Sequence, residues 1–161
     1  MAVKKTGIRQ EIQVVGFYIG EDEYALLIHK VREIHPMTEI RKVPKAPPFV
    51  EGVINVRDQM IVPIIDLRKR FDMDANENRH SAKILIVELD RNHVGMIVDN
   101  VSEVMRFYVD EIEKTPPMFS ANIDSQYIQG VAKLNNKLII LLDIEKLLSF
   151  EEQSVLKSLK N

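Results

Sequence analysis

The side chains best suited to bind a metal ion in this chain are its four histidines, and their spacing does not favour a metal site. They are His29, His35, His80 and His93. None stands three or four positions from another, as two ligands on one turn of a helix would, and no acidic residue completes a zinc-like set. His80 lies in a polar stretch and His93 follows a turn, so we expect both to be solvated.

Motifs for a nucleophile or a bound phosphate are also missing. The chain has no cysteine, no G-x-S-x-G frame, and six glycines that form neither a G-x-G-x-x-G loop nor a Walker A loop. The polar residues Asp72, Asp74, Asn76 and Glu77 hint at a calcium loop. The glycine at the sixth position of an EF-hand loop is absent, however, and Lys83 stands at the twelfth position. We therefore expect no enzyme, no metal and no cofactor.

Composition and charge limit the class of partner. The 161 residues are 45% hydrophobic and 29% charged, with a formal net charge of −2. Nucleic acid and anionic membranes are bound by clustered Lys and Arg, so neither is expected as the main partner. The polar start of the chain is not a signal peptide, and apolar runs such as Leu138–Leu142 are too short to span a bilayer. We expect a cytoplasmic protein.

Two charged residues stand beside apolar β-rich stretches. Glu33 lies next to Val31 and Ile34, and Arg57 follows Val56. One interpretation is an exposed surface pair, worth under about 1 kcal/mol. The other is an oriented pair at the edge of a binding groove, where arginine is a favoured contact residue. The residues alone leave both interpretations open.

Two apolar features are candidates for contact with a protein partner. The segment Pro116-Pro117-Met118-Phe119 either plugs the end of a barrel or docks a partner. Val31 and Val101 occupy equivalent places in two related halves of the chain. They either belong to the core or line one groove that accepts an amphipathic helix.

Short β-hairpins closed by polar turns account for most of the chain. Asp66 is expected to cap a short helix, Leu67–Phe71. The polar residues 72–82 are the best candidate for a linker, and apolar spacing near the end predicts a C-terminal helix over residues 144–160. The predicted strands lie within residues 13–19, 24–28, 53–57, 60–65, 83–89, 94–98, 131–134 and 138–142.

The order of the elements repeats along the chain. Adding 70 places Tyr24–Ile34 on Val94–Val104, adding 78 places residues 49–53 on residues 127–131, and adding 77 places Asp66 on Asp143. Few residues are identical, so two unrelated runs of hairpins remain an alternative.

Each repeat carries about five short strands, which must close or pack to remove their edges. The sequence therefore predicts a mainly β fold of two packed barrels, with residues 11–71 forming the first and residues 83–148 the second. Because each barrel alone is near the lower size limit for stability, the two are expected to share an apolar interface.

Several stretches, taken in order, resemble the CheW family of chemotaxis adaptors between about Glu11 and Leu148. One departure is Asp58, which follows Arg57 where the family usually has glycine. The stretches that carry the resemblance are residues 17–20, 23–25, 30–34, 49–57, 61–67 and 94–104.

The resemblance implies one CheW-like domain made of two five-stranded SH3-like barrels. It implies an adaptor that couples the cytoplasmic tip of methyl-accepting chemoreceptors to the regulatory domain of a CheA-type histidine kinase, in membrane-associated arrays. In that family the kinase's regulatory domain and the adaptor share the double-barrel fold, and the two proteins join end to end in rings. An accessory scaffold of another receptor–kinase pathway, and a small nucleic-acid-binding β-barrel protein, are the alternatives.

The resemblance also implies which residues contact the two partners. The expected receptor-binding residues are Val31, Glu33, Gly52, Arg57, Gly95 and Val101. The expected kinase-binding residues are Lys83, Ile84, Leu85, Met118 and Phe119.

Overall fold

The computed structural model describes residues 9–57, 60–75, 80–114 and 125–158, most of which are in β-strands. The strands are β1 (Glu11–Ile19), β2 (Asp22–Leu27), β3 (Val31–Pro36), β4 (Val50–Val56), β5 (Met60–Asp66), β6 (Lys83–Leu89), β7 (Asn92–Val98), β8 (Asn100–Tyr108), β9 (Ile112–Glu113), β10 (Ile128–Leu134) and β11 (Lys137–Leu142).

Helices are few and short. The α-helices are α1 (Leu67–Arg70), α2 (Ile144–Leu147) and α3 (Phe150–Ser158). Three single turns of 3-10 helix cover Ile28–Lys30, Val109–Glu111 and Ser125–Tyr127. Within the described part of the chain, no helix has the length and apolar character needed to cross a membrane.

The strands form two sheets, which confirms the predicted mainly β fold. The first sheet has six strands in the order β8-β1-β2-β11-β10-β9, and the second has five in the order β3-β6-β7-β5-β4. Two pairs are parallel, β11 with β2 and β5 with β7. All other neighbouring strands are antiparallel.

The pairing corrects the predicted boundaries of the two units. The second sheet is built from the continuous residues 31–98, whereas the first combines β1 and β2 with β8 to β11. Residues 11–71 and 83–148 therefore do not form one unit each, and residues 72–82 join β5 and α1 to β6 within the second sheet. The error has a physical reason: turn signals predict local hairpins, but no local signal marks the parallel partner of β2.

The two sheets are related by the sequence repeat, residue for residue. In the second sheet Ile64 pairs with Gly95. Adding 77 to the first number and subtracting 70 from the second gives Leu141 and Ala25, which pair in the first sheet. The structure therefore supports the predicted repeat, with the first hairpin of each copy exchanged between the sheets.

The core consists of three clusters, one private to each sheet and one shared. The second sheet's own cluster includes Ile84 and Ile86, whereas Leu85 and Val87 face the shared cluster. The hairpins β1–β2 and β6–β7 are thus buried on both faces, since alternate side chains enter different clusters. The predicted apolar interface is present, and we call the shared cluster the shared core.

The chain crosses from one sheet to the other at two points, the 3-10 turn Ile28–Lys30 and Asp99. The Asp99 carboxylate accepts hydrogen bonds from Arg68 at 2.7 and 2.9 Å and from the backbone N–H of Gly20 at 2.7 Å. The Asp99 N–H donates to the carbonyl of Tyr18 at 3.0 Å. These bonds tie α1 to the β1–β2 turn, and hydrogen bonding to Asp99 raises the pKa of Arg68 above its ordinary value.

Side-chain hydrogen bonds cap the N-terminal ends of the three α-helices. Asp66 caps α1 as predicted, by accepting from the N–H of Arg68 at 2.9 Å, and its repeat counterpart Asp143 caps α2. The predicted single helix over residues 144–160 is wrong, because the chain breaks at Leu148 and Ser149 before α3 begins. Ser149 and Glu152 bond each other's backbone N–H groups in a capping box, which starts a new helix.

We expect fragments cut at the predicted boundaries, Glu11–Phe71 and Lys83–Leu148, not to fold alone. Each lacks strands of both sheets and exposes its half of the shared core. Thermal unfolding by circular dichroism checks this, with residues 29–99, which hold the whole second sheet, as the comparison fragment. Cooperative unfolding of either cut fragment alone contradicts the exchanged pairing.

We expect Asp99→Asn to lower the free energy of unfolding by about 2 kcal/mol, since it weakens charged hydrogen bonds in a partly buried site. Asp110→Asn is the matched control, because Asp110 also binds an arginine, Arg9, in a more exposed pair. That change is expected to cost under about 1 kcal/mol. Urea unfolding measures both, and equal losses contradict the structural role of Asp99.

Candidate docking surface

A hollow of about 320 Å³ lies beside β3, one of the two edge strands of the second sheet. Its lining combines apolar side chains with charged ones, as a surface that binds another protein does. We call it the β3 hollow. It is lined by Val31, Arg32, Glu33, Val56, Arg57, Met60, Ile86 and His93.

Three of the six predicted receptor-binding residues meet at this hollow. Val31 and Glu33 lie on β3, and Arg57 directly follows β4. The Nη2 atom of Arg57 donates to Oε1 of Glu33 at 2.9 Å. The local fold explains the meeting, because the β4–β5 hairpin turns at Arg57, whose φ of +54° is left-handed.

The Glu33–Arg57 pair orients charges at a surface and contributes little to stability. The Arg57 side chain is 71% exposed and that of Glu33 is 27% exposed. An exposed pair of this kind contributes under about 1 kcal/mol. The structure therefore combines the two interpretations of the sequence: the pair is a surface pair, and it stands at the rim of a hollow.

Val31 and Val101 occupy related places at the junction of the two sheets. Each lies just beyond a point where the chain crosses between sheets, and each is half-buried against the shared core. Val31 pairs with Val87, and Val101 pairs with Phe17, which is the repeat counterpart of Val87. Val101 is not among the residues that line the β3 hollow. The two valines are thus partly core, with a remaining exposed fraction at the junction.

The two glycines of the predicted receptor-binding set are buried. Gly52 has a φ of +152°, and a Cβ there would collide with the backbone of Arg41, which bridges to Val53. A Cβ at Gly95 would collide with side chains of the second sheet's own cluster. Neither residue can reach a partner with a side chain, so any effect on binding passes through the packing of the sheet.

The predicted kinase-binding residues fall into three groups. Lys83 is half-buried at the start of β6. Ile84 and Leu85 are fully buried, so the structure excludes direct contact between these two side chains and a partner. They point into different clusters, which the period-2 alternation of the strand requires. Met118 and Phe119 lie outside the described residues.

Five lining residues of the hollow were not predicted as site residues from the sequence, and one of them, Val56, is a buried residue of β4. Arg32 pairs with Glu88 at 3.4 Å, Met60 packs at the edge of the second sheet's cluster, and Ile86 lies on the hollow's floor. His93, expected to be solvated, is half-buried in the lining. No local motif marks these residues, because β3, β5, β6 and β7 come together only through the exchanged pairing.

The basic cluster Arg68–Arg70 is neutralised within the protein. Arg68 pairs with Asp99, Lys69 with Glu51 and Arg70 with Glu152. Positive charge that is already paired in this way attracts phosphate less strongly. Among the described residues, no group of three or more His, Asp or Glu side chains could hold a metal ion.

Comparisons with known proteins agree on one family. The model of the CheW-like domain matches residues 13–152. The chain is 34% identical to chemotaxis protein CheW of Klebsiella aerogenes, over 86% of this chain and 82% of that protein. It is 32% identical to chemotaxis protein CheW of Treponema pallidum, over 93% and 89% of the two chains.

A solved structure shows the same fold. The crystal structure of the scaffolding protein TtCheW from Thermoanaerobacter tengcongensis matches with a TM-score of 0.78 and 34% identity, over 91% of this chain and 94% of that one. The family match covers both sheets and the junction between them, and the resemblance in the sequence is confirmed. The chain belongs to the family of proteins built on the CheW-like domain.

Proposed function

We propose that this protein is a non-catalytic adaptor that couples chemoreceptors to a CheA-type histidine kinase in chemotaxis signalling. Membership of the CheW-like family supports the general role, and relatives carry the name chemotaxis protein CheW. The observation that carries the proposal to particular residues is the β3 hollow, where Val31, Glu33 and Arg57 meet. As an adaptor in receptor arrays, it would act in the cytoplasm, at the membrane-bound receptors.

The receptor surface proposed here centres on the β3 hollow and the junction beside it. Apolar lining with charges at the rim suits an amphipathic helix, whose apolar face is buried while its polar edge meets the charges. The cytoplasmic tip of a chemoreceptor, a helical hairpin, presents such a face. Val31 and Val101 would contact its apolar side chains, and Glu33 and Arg57 its polar edge. Gly52 and Gly95 would act from the core.

The kinase surface is proposed at Lys83 and at Met118 and Phe119. Exposed apolar side chains occur in repeat-related pairs, Ile34 with Val104 and Ile61 with Leu138. Both units therefore present similar apolar positions to solvent. This supports contact with the kinase's regulatory domain, which in the CheW family has the same double-barrel fold. An accessory scaffold for another receptor–kinase pair would use the same surfaces.

Binding measurements with isolated partners test the proposed function. A soluble hairpin-tip fragment of a chemoreceptor and the regulatory domain of the kinase are titrated separately and then together, by calorimetry. Binding of both at once supports an adaptor. A salt-dependent response to single-stranded oligonucleotides, without binding of either protein fragment, would favour the nucleic-acid-binding alternative instead.

We expect Arg57→His and Glu33→Lys each to weaken binding of the receptor fragment by about 1–3 kcal/mol, as a lost charged contact at a partly desolvated site does. The double variant Glu33→Arg with Arg57→Glu restores an ion pair with its charges exchanged. It recovers binding if the pairing of the two residues with each other matters most, and it recovers none if each contacts the receptor separately. Calorimetry measures the affinities and circular dichroism confirms the fold. Arg9→His is the matched control, because Arg9 also pairs with a carboxylate, Asp110, away from the hollow. Wild-type affinity in every variant of the hollow places the receptor surface elsewhere.

We expect Met118→Asp and Phe119→Asp to weaken kinase binding while receptor binding stays near wild type. A carboxylate at an apolar contact must lose its hydration without gaining a partner. Affinity for the kinase's regulatory domain is the measurement. Leu134→Asp, at an exposed apolar position of the β10–β11 hairpin, is the control for a nonspecific charge effect. Unchanged kinase affinity in both test variants removes these residues from the interface.

A further inference from the structure

A helix bound at the junction of two related sheets can run in either of two opposite directions. Val31 and Val101 are related by the repeat and lie at the two crossings between the sheets. If all lining residues were equivalent, a helix could bind in two opposite directions with equal affinity. Only residues that differ between the two units can favour one direction, since specificity is a difference between two binding free energies.

The two units do differ at the β3 hollow. Its lining includes Arg32, Met60, Ile86 and His93. Shifting these positions by the repeat gives Ser102, Lys137, Gly16 and Glu23 in the first sheet. In the second sheet these positions line an open site with Ile86 on its floor. In the first sheet the related positions hold one glycine and three polar residues.

The four counterparts fill their own site. Glu23 is only 6% exposed, and its Oε2 accepts a hydrogen bond from the hydroxyl of Ser102 at 2.7 Å. Lys137 approaches Oε1 of Glu23 at 3.5 Å. Gly16 leaves room for the carboxylate to reach from β2 across β1 to β8, because a Cβ there would collide with Ser102 and Met105. We call Glu23, Ser102 and Lys137 the plug.

We propose that the plug fixes the direction of the bound receptor helix by closing the counterpart of the β3 hollow. The inference rests on the proposed function. Near the second sheet, a large apolar side chain of the helix enters the hollow beside Met60 and Ile86. The same side chain, turned toward the first sheet, meets a buried carboxylate that is already hydrogen-bonded. That orientation is disfavoured, because displacing Glu23 would separate it from Ser102 and leave a buried charge unpaired.

Paramagnetic relaxation tests the direction. A nitroxide at the turn of the receptor hairpin fragment broadens methyl signals of the unit that it approaches. Met60 and Ile86 report on the second sheet, and Leu134 and Leu138 report on the first. In the wild type we expect one direction to be favoured at least about tenfold, which corresponds to ~1.4 kcal/mol. Equal broadening of both units in a one-to-one wild-type complex overturns the inference.

Removing the difference between the units gives the sharper test. The variant Glu23→His with Ser102→Arg and Lys137→Met places the residue types of the hollow in the first unit. We expect one-to-one binding to remain while the preference for one direction falls at least about threefold. A folded variant that keeps the wild-type preference overturns the role of the plug.

A single change in the hollow keeps the test decisive if the triple variant does not fold. Met60→Lys gives the hollow the residue of the plug, so the preference for one direction should again fall. Ile61→Lys, at an exposed position next to Met60 on β5 but outside the hollow's lining, is the control and should keep the direction. An unchanged preference in Met60→Lys overturns the inference. Absence of any binding to the wild type overturns the proposed function itself, which separates the two failures.

Discussion

The structure depends on one constraint: the chain must cross between its two sheets at Ile28–Lys30 and again at Asp99. Because of these crossings, the hairpins β1–β2 and β6–β7 each have one face in a private cluster and the other in the shared core. Such strands hold two units together more firmly than a surface contact would, since separating the units exposes one whole face of each hairpin. Asp99 fixes the second crossing by binding Arg68 and Gly20 at once.

Local features of the fold were predictable, and pairing over long distances was not. Asp66 caps α1 because a carboxylate just before the first turn of a helix can accept a hydrogen bond from a free N–H, and such a residue can be recognised in the sequence. The parallel pairing of Ile140 with Tyr24 has no such signal, because the two residues are far apart in the chain. The break before α3 had a signal that was missed, the capping-box spacing of Ser149 and Glu152.

The candidate docking surface also divides into local features that the sequence indicates and contacts that depend on the assembled sheets. The sequence indicated Glu33 and Arg57 as charged residues beside apolar strands, and in the structure their side chains form a hydrogen-bonded ion pair. The family resemblance also indicated Gly52, Gly95, Ile84 and Leu85, which are buried and could affect binding only through packing. The positions of His93 and Met60 in the lining of the hollow could not be predicted, because these residues come together only when the second sheet is assembled. Their difference from the related residues of the first sheet is visible only when the two sheets are compared.

Along the chain, all strands of the second sheet lie between β2 and β8 of the first sheet. This order has a consequence for synthesis on the ribosome. All five strands of the second sheet have been synthesised once residue 98 has been added, so this sheet can form before the first one. The N-terminal hairpin β1–β2 emerges before any of them, yet its partner strands β8 and β11 are synthesised only after the second sheet. Until the second sheet is complete, Phe17, Tyr24 and Leu26 lack most of the residues that form the shared core with them. The nascent chain therefore exposes the apolar side chains of its N-terminal hairpin for most of its translation. Exposed apolar surface of this kind is what a holding chaperone binds.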